Sequence, residues 1–394
     1  MNLQRLAILA FATFVSVATF GQLFHPLGLG IEKCGREEKS FRPQMHIEGD
    51  ILYACTNQGL YSRDLSDDES IWQLVGFEGI SLQDFVRKSD DLLAMRYNIS
   101  NHFFLLSHDG GKTYEDVTPD RFYMGEAASI MTLTRLVQHP TDPNTLLVSS
   151  DPWGIYQSPD FGQTWNRLTY EIIPEYIGYH PLNPKIIYAS GEEEYFSWVL
   201  NISYDSGLTW QYNPPYSSGD NCVNRIAFHP TDPDRWIVGG SGIVYTSDDN
   251  GHTWDIQDFS GDGLRDGLWV FTAYDSENSD IVYMAGRTSD KIEIMCSTDG
   301  GKTWSVPQTE PMKKSSTKNV YDLKQYGSKL LFYTESDIYE ISKAELLAQA
   351  TSVQGVTTAK TRESSIIYDL QGRRLSIIPQ KGVYIQNGKK KLVK

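Results

Sequence analysis

The chain has 394 residues, of which 40% are hydrophobic and 12% aromatic, with 32 Gly and 17 Pro. This is the composition of a folded protein, so a mainly disordered or collagen-like chain is excluded. The formal net charge of −15 would repel a phosphate backbone, and we expect no binding of nucleic acid through a basic face. The 23 Tyr and 9 Trp residues, together with the many glycines, favour short strands joined by tight turns and therefore an all-β fold.

The N-terminus has the pattern of a secretory signal peptide. Arg5 precedes an uncharged stretch from Leu6 to Phe20, and Gly21 offers a small residue for cleavage. This stretch is short for a bilayer, which needs about 20 apolar residues. We therefore predict a signal peptide over residues 1–21, and a mature chain that does not span a membrane.

Export would permit disulfide bonds among four cysteines. They are Cys34, Cys55, Cys222 and Cys296, and their spacing is too wide for a local metal site. Cys55 and Cys296 lie inside strand-like apolar runs, so we expect both to be buried thiols. The pairing of the four stays open, and we expect neither a metal ion nor another cofactor.

One octet recurs five times along the middle of the chain. It begins at Ser107, Ser158, Ser203, Ser247 and Ser297, with Asp third, Gly fifth, Thr seventh and an aromatic residue eighth. The copies start 44 to 51 residues apart, which matches the length of one β-propeller blade. The spacing therefore predicts a circular array of four-stranded units.

The octet has the chemistry of a hairpin turn. The Ser and Asp oxygens can accept hydrogen bonds from backbone N–H groups, the Gly can take a left-handed conformation, and the aromatic residue can pack inward. We therefore assign a structural role to the five aspartates of the octets, which are Asp109, Asp160, Asp205, Asp249 and Asp299. The octet resembles the Asp box, or BNR repeat, of sialidases, sortilin-like receptors, xyloglucan hydrolases and photosystem assembly factors of the Ycf48 type.

A second element lies upstream of three octets. His139, His180 and His229 each precede a proline in a turn, and Asp275 lies in the corresponding segment of the next unit. We interpret these histidines as hydrogen-bonding residues of the turn, because a ring of repeats would separate them too widely to share a metal.

The units add up to a seven-bladed β-propeller. One degenerate copy from Ile51 to Trp72 precedes the five octet units, and three strands after Val320 form a last unit without an octet. Residues 24 to 40 could supply the missing outer strand and close the ring. The propeller is thus predicted over residues 22–345.

The C-terminus differs from the body in charge and pattern. Residues 361–394 hold eight basic and two acidic residues, so this tail is +6 and the rest is −21. The Tyr368–Arg373 turn, the Gly382–Ile385 strand and the Lys-rich end resemble the C-terminal sorting domain of type IX secretion substrates of Bacteroidota. The resemblance implies that the type IX machinery carries the chain to the outer cell surface or releases it, with residues 346–360 as a linker and 361–394 as the sorting domain.

Carboxylates beside aromatic residues mark the loops that differ between units. In a blade, the turns between first and second strands and between third and fourth strands share one end of the ring, so the variable loops share the other. These loops supply six candidates for ligand binding, namely Asp151, Trp153, Glu193, Trp198, Asp266 and Trp269. Aromatic faces and carboxylates together are typical of a sugar site, whereas the alternative is that the tryptophans pack between blades and the acids are solvated.

Three functions stay open at this point. The first is a non-catalytic, monomeric propeller outside the cell that binds a glycan or a protein. The second is a glycoside hydrolase that uses two carboxylates from a set of six, namely Asp151, Glu192, Glu193, Glu194, Asp262 and Asp266. The third is an assembly factor of the Ycf48 type. Sialidases carry an Arg-Ile-Pro element and three arginines that clamp a carboxylate, and the nearest element, Phe41 to Gln44, does not match it.

Overall fold

The computed structural model describes most of the body and short parts of the tail. It covers residues 24–28, 41–97, 103–119, 132–151, 154–169, 173–192, 198–212, 225–240, 242–259, 268–287, 292–305, 320–335, 337–352, 360–361, 367–368, 374–375, 382–386 and 389–393. Almost all of these residues lie in strands and in the turns that join them.

The strands before residue 215 are β1 (His25–Pro26); β2 (Met45–Glu48), β3 (Ile51–Thr56), β4 (Gly59–Asp64) and β5 (Gln73–Gly76) of blade 1; β6 (Leu82–Lys88), β7 (Asp91–Arg96), β8 (Phe103–Ser107) and β9 (Glu115–Asp116) of blade 2; β10 (Thr132–Gln138), β11 (Leu146–Asp151), β12 (Gly154–Ser158) and β13 (Asn166–Thr169) of blade 3; and β14 (Ile173–Tyr179), β15 (Ile187–Glu192), β16 (Trp198–Ser203) and β17 (Gln211–Tyr212) of blade 4.

The elements after residue 225 are β18 (Ile226–Phe228), β19 (Trp236–Gly239), β20 (Ile243–Ser247) and β21 (Asp255–Asp258) of blade 5; β22 (Leu268–Tyr274), β23 (Val282–Arg287) and β24 (Ile292–Ser297) of blade 6; β25 (Val320–Tyr326), β26 (Lys329–Thr334) and β27 (Ile338–Ser342) of blade 7; the helix α1 (Lys343–Ser352); and β28 (Lys360–Thr361), β29 (Ile367–Tyr368), β30 (Arg374–Leu375), β31 (Gly382–Gln386) and β32 (Lys389–Val393).

The fold is an all-β, seven-bladed propeller, as predicted. Successive strands in each blade pair antiparallel in chain order, and we call them the A, B, C and D strands. In blade 7, β1 supplies the D strand, with His25 opposite Glu340 and Pro26 opposite Tyr339. The N-terminal segment therefore closes the ring in the way the sequence predicted, and it covers an edge that would otherwise be exposed.

The hydrophobic core lies between the blades. Seven clusters of buried side chains occur among the described residues, one for each pair of neighbouring blades. The B strands are packed on both faces, so they read as continuous apolar runs such as Leu92 to Met95 rather than as alternating ones. Trp165, Trp236 and Trp304 are fully buried in these clusters, and each such side chain stabilises the fold by about 1.5 to 3 kcal/mol.

All five octets form the predicted turn. In each, the Thr Oγ1 donates to one Asp oxygen at 2.6 to 2.7 Å, the Thr N–H donates to the other at 2.7 to 2.8 Å, and the Gly N–H donates to the Ser hydroxyl. The fourth residue also has a positive φ, whether it is Gly110, Phe161, Ser206, Asn250 or Gly300. Inward packing of the aromatic residue holds for Trp165 and Trp304, whereas Tyr114 is 43% exposed and stacks on Phe77.

The histidines of the repeated turns are hydrogen-bonding residues, as predicted. The Nδ1 atom of His180 accepts hydrogen bonds from the backbone N–H groups of Leu182 and Asn183, both at 3.1 Å. His139 and His229 accept in the same way. In blade 6 a carboxylate oxygen of Asp275 accepts the two equivalent bonds.

The segment after blade 7 packs back onto the propeller. Ser342 accepts a hydrogen bond from the N–H of Glu345 and caps α1, whose Leu346 and Ala350 enter the core between blades 6 and 7. Farther on, β28 pairs with the outer edge of blade 5. The assigned linker therefore contains the end of α1 and part of β28.

The tail strands form a separate sheet in the order β30, β29, β31, β32. Within the described part of the chain, no helix has the length and apolar character needed to cross a membrane. Cys55 and Cys296 are buried free thiols, as predicted, while Cys34 and Cys222 lie outside the described residues.

Candidate functional site

The A strands surround a cavity of about 650 Å³ in the central channel. Its described lining comes from the A strands of blades 1 to 5 and 7, with Pro140 and Pro181 of the histidine turns and Tyr188 of β15. Those prolines and Glu48, at the end of β2, lie at the end of the ring that carries the repeated turns. A volume of this size is ordinary for a site that takes a small molecule.

The floor of the cavity is built from equivalent positions of the A strands. In five of these strands the register shifts by one residue, and three of the residues directly after the shift, Asp84, Arg135 and Tyr176, line the cavity. We call the seven residues at this level the channel ring, and they are Gln44, Asp84, Arg135, Tyr176, Arg225, Phe271 and Asp322. The ring places two carboxylates and two guanidinium groups at one level of the channel.

Asp322 is the most strongly engaged carboxylate of the ring. It is fully buried, and its oxygens accept from Arg225 Nη1 at 2.6 Å, from Lys324 Nζ at 3.3 Å and from the backbone of Met45. Burial alone would raise the pKa of Asp322, but Arg225 and Lys324 outweigh it and hold the pKa at about 2. Asp322 is therefore ionised at neutral pH and cannot deliver a proton.

Asp84 joins three blades in the same manner. One oxygen contacts His46 Nε2 of blade 1 at 2.8 Å and accepts from the N–H of Phe85, and the other accepts from the N–H of Leu136 in blade 3 at 3.4 Å. Both ring carboxylates therefore have partners on each oxygen, which makes them links between blades rather than free acids.

Arg225 reaches across the channel from blade 5. Besides its bond to Asp322 of blade 7, its Nη2 donates to Oε1 of Gln44 in blade 1 at 2.7 Å, and its guanidinium carbon lies 5.4 Å from the ring centre of Phe271. This side chain connects blades 1, 5, 6 and 7 at one level.

Arg135 is the exception among the charged ring residues. It is 4% exposed and lines the cavity, and its guanidinium carbon lies 4.7 Å over the ring of Tyr176. Among the residues that the structure describes, its Nε and Nη1 atoms have no hydrogen-bond partner. Burial lowers the pKa of Arg135, and the nearby charge of Arg225 lowers it further, although a guanidinium stays protonated in proteins.

An ion pair spans the channel on the other side of the ring. Arg42 precedes β2 in blade 1, and its Nη1 lies 2.8 Å from Oε2 of Glu175 in blade 4. Both residues are on the side of the ring where the variable loops begin. Phe41 beside this pair is 3% exposed and packs 5.0 Å from Tyr97.

The candidates predicted from sequence lie mainly outside the described residues. These are Trp153, Glu193, Glu194, Asp262 and Asp266. The backbones of Asp151 and Glu192 are described, and they end the B strands of neighbouring blades 3 and 4. The backbones of Trp198 and Trp269 begin β16 and lie near the start of β22, so all four positions are at the variable-loop end, and the role of their side chains stays a prediction.

Sequence reasoning missed the channel ring, although a signal was present. Asp84, Arg135 and Asp322 are charged residues inside the first strand of a unit, with apolar residues close on both sides. A charge in such a run is unexpected unless it has a partner or faces a cavity. The shift of register that turns these residues toward the channel is visible only in the folded sheet.

Comparisons with known proteins agree with this architecture. The family model of the BNR/Asp-box repeat matches residues 295–306, around the last octet. The chain is 24% identical over 209 residues to a protein of Neosartorya fischeri named as a probable oligoxyloglucan-reducing end-specific xyloglucanase, a match that covers 48% of this chain and 25% of the relative. The chain thus spans about a quarter of the length of that relative.

Two solved structures are similar over most of the chain. YCF48 bound to D1 peptide has a TM-score of 0.55 at 16% identity and covers 76% of this chain and 91% of its own. The GH74 enzyme of Niastella koreensis has a TM-score of 0.56 at 16% identity and covers 93% of this chain and 59% of its own. At these identities the similarity shows the fold alone.

Proposed function

We propose that this chain is a β-propeller outside the cell that binds a glycan or a protein ligand in its central channel and does not cleave it. The observation that supports the proposal is a cavity of about 650 Å³ with polar and aromatic walls, whose two ring carboxylates are both engaged. The described walls offer aromatic faces and hydrogen-bonding groups to a ligand, and the two ring carboxylates are already engaged in links between blades.

Glycoside hydrolysis would require a different arrangement of carboxyl groups in the channel. It needs two carboxyl groups beside the scissile bond, one of which is a proton donor. Asp322 is held ionised by Arg225 and Lys324, and the oxygens of Asp84 are bound to His46 and to backbone N–H groups. The ring acids therefore suit a structural role, and the walls suit binding.

The glycoside hydrolase is the second candidate, and it would use the variable-loop end. It is favoured by the similarity to the xyloglucanase and by the place of Asp151 and Glu192 at the ends of equivalent strands in neighbouring blades. Two carboxylates so placed could face one substrate. In that case the channel cavity would be separate from the reacting bond.

We propose that both ends of the chain serve export. The signal-peptide pattern would direct the chain through the inner membrane, and the basic tail would direct it through the outer membrane by the type IX machinery. The tail strands pair with one another in their own sheet, which is consistent with a separate module. A chain without residues 361–394 should accumulate as a folded propeller in the periplasm, and its appearance on the cell surface would contradict this division.

The purified full-length protein should be tested on a glycan array and, in parallel, on a panel of chromogenic glycosides. Binding without turnover supports the proposal. Turnover that disappears in Asp151→Asn or Glu192→Gln but persists in Asp109→Asn, a change in an octet, would support the hydrolase instead. A protein that neither binds a glycan nor turns one over would leave a protein partner, sought by cross-linking on intact cells.

A further inference from the structure

The guanidinium group of Arg135 is buried beside the channel cavity. Its Nε and Nη1 atoms are buried and have no hydrogen-bond partner in the described part of the chain, while the side chain as a whole lines the cavity. Buried donors in native proteins are almost always paired, and a charged donor without a partner is destabilising. The stacking of this group over Tyr176 at 4.7 Å fixes its position but satisfies none of these N–H groups.

The charges around the cavity leave one positive charge in excess. Among the described residues, the cavity lining and Asp322 contribute four cations and three carboxylates, in a chain whose net charge is −15. Three of the four cations have an anion within 4 Å: Arg87 contacts Glu48 at 3.2 Å, and Arg225 and Lys324 share Asp322. Arg135 has no such contact with any described residue, and Asp84 and Asp322 act on it only at longer range.

We propose that the cavity is a binding site for a single carboxylate group of a small ligand, with the Arg135 guanidinium as the group that receives it. This inference rests on the proposed binding function and narrows it to acidic ligands. A planar guanidinium can donate two parallel hydrogen bonds to a carboxylate. The surrounding walls, with Tyr179 and Phe228, would hold the uncharged part of the ligand.

A monovalent carboxylate fits the site better than a phosphate dianion. The excess is one positive charge, so a second negative charge on the ligand would meet Asp84 and Asp322 without compensation. The cavity of about 650 Å³ also limits the bound part to about the size of one or two sugar units or a few residues. A uronic acid and the C-terminus of a polypeptide share this chemistry.

The test is calorimetric titration of the full-length protein at low ionic strength with four probes: D-glucuronate, N-acetylglycine, D-glucose and inorganic phosphate. We expect one of the two carboxylates to bind at least about tenfold more tightly than glucose or phosphate. Arg135→Met should weaken that carboxylate by about 10- to 100-fold, the usual effect of losing a charged hydrogen-bond partner. Arg135→Lys keeps the charge but loses the planar arrangement of donors. Its affinity for that carboxylate should lie between the affinities of the unaltered protein and of Arg135→Met.

Arg235→Met is the matched control. Arg235 belongs to blade 5, its Nε lies 3.4 Å from Asp248, and it does not line the cavity. It should leave carboxylate binding unchanged. If Arg135→Met fails to fold, as judged by circular dichroism, the ratio of probes on the unaltered protein and the effect of Arg135→Lys still test the proposal.

Preference for glucuronate assigns the carboxylate to a sugar, and preference for N-acetylglycine assigns it to a polypeptide terminus. Equal binding of glucose and glucuronate, tighter binding of phosphate, or no binding of any probe would each overturn the inference. In those cases neutral glycans bound on the array would leave the broader binding function standing. Turnover of a glycoside would remove the binding function while leaving the carboxylate preference to be judged by the titrations.

Discussion

The octet turns and the channel ring show two opposite uses of a repeated backbone. The five octets make the same hydrogen bonds at nearly the same distances. The seven equivalent positions of the ring hold five residue types, from Phe271 to Arg135. The same side chains recur in the turns, where each blade makes the same hydrogen bonds. They differ between blades at the positions that surround the central channel. Repetition therefore identifies scaffold, and its loss at equivalent positions identifies the place to look for function.

Asp322→Ala is the strongest test of the contrast between the channel ring and the octet turns. This change leaves Arg225 and Lys324 near an empty site in the interior, and the removal of one partner from a buried ion pair destabilises a fold by about 3 to 5 kcal/mol. The free energy of unfolding, measured with urea, should fall by that amount. Adding Arg225→Met should restore part of the loss, because the second variant removes a charge that has lost its partner.

The control for Asp322 is Glu48→Ala at the mouth of the same cavity. Glu48 pairs with Arg87 at 3.2 Å, but its side chain is 40% exposed, and exposed pairs contribute at most about 1 kcal/mol. Equal losses for Asp322→Ala and Glu48→Ala would show that the ring is not the buried electrostatic centre described above.

Gly162→Ala tests the structural role of the octet turns. Gly162 has a φ of +88°, and a Cβ there would lie 2.5 Å from a methyl group of Leu93 in the neighbouring blade. The left-handed backbone and the overlap together should cost about 2 to 4 kcal/mol of stability. The melting temperature should fall accordingly.

The matched control is Gly110→Asn in the first octet. Gly110 has a φ of +74° with nothing near its missing Cβ, and Asn250 takes the same place in the fourth octet at a φ of 62°. The change should be nearly neutral, within about 0.5 kcal/mol. A loss for Gly110→Asn as large as that for Gly162→Ala would mean that contact between blades is not what requires the glycine.

The sequence could predict the scaffold because its signals are local. The octet, its spacing and the histidine turns are short patterns. Five octet units, one degenerate copy and one unit without an octet indicated seven blades, and the missing outer strand of the last unit indicated the closing strand. The channel ring has no such pattern. Arg225 and Asp322 are 97 residues apart and Arg42 and Glu175 are 133 apart, so only ring closure brings them together. The variable-loop candidates rest on topology alone, and they stay predictions.

Ser203→Ala should have a smaller effect than the glycine change. The Ser203 hydroxyl is buried, accepts from the N–H of Gly207 at 2.8 Å and donates to Asp205. Its loss leaves a buried N–H group without a partner, which should lower the free energy of unfolding by about 1 to 2 kcal/mol. Carboxylate affinity of the folded protein should not change, and a loss of affinity at unchanged stability would give the octet a role in binding.

The smallest effect expected is a pH dependence that arises in a histidine turn. His180 is buried against Phe228, its Nε2 donates to the carbonyl of Pro233 at 3.0 Å, and its Nδ1 must stay unprotonated to accept two backbone hydrogen bonds. Burial lowers the pKa of His180 below its ordinary value, so the unfolded chain binds a proton more readily than the folded one. This contribution to stability is complete above the unfolded pKa of about 6.5 and is lost as the pH falls from there through the lower pKa of the folded state.

Urea unfolding between pH 5 and pH 8 should therefore show stability that falls on acidification, and the fall should be smaller in His180→Asn, which keeps an acceptor at this place but cannot titrate. His252→Asn, at an exposed position of an octet, should retain the slope of the unaltered protein. An identical slope in His180→Asn would show that protonation of His180 does not contribute to this pH dependence.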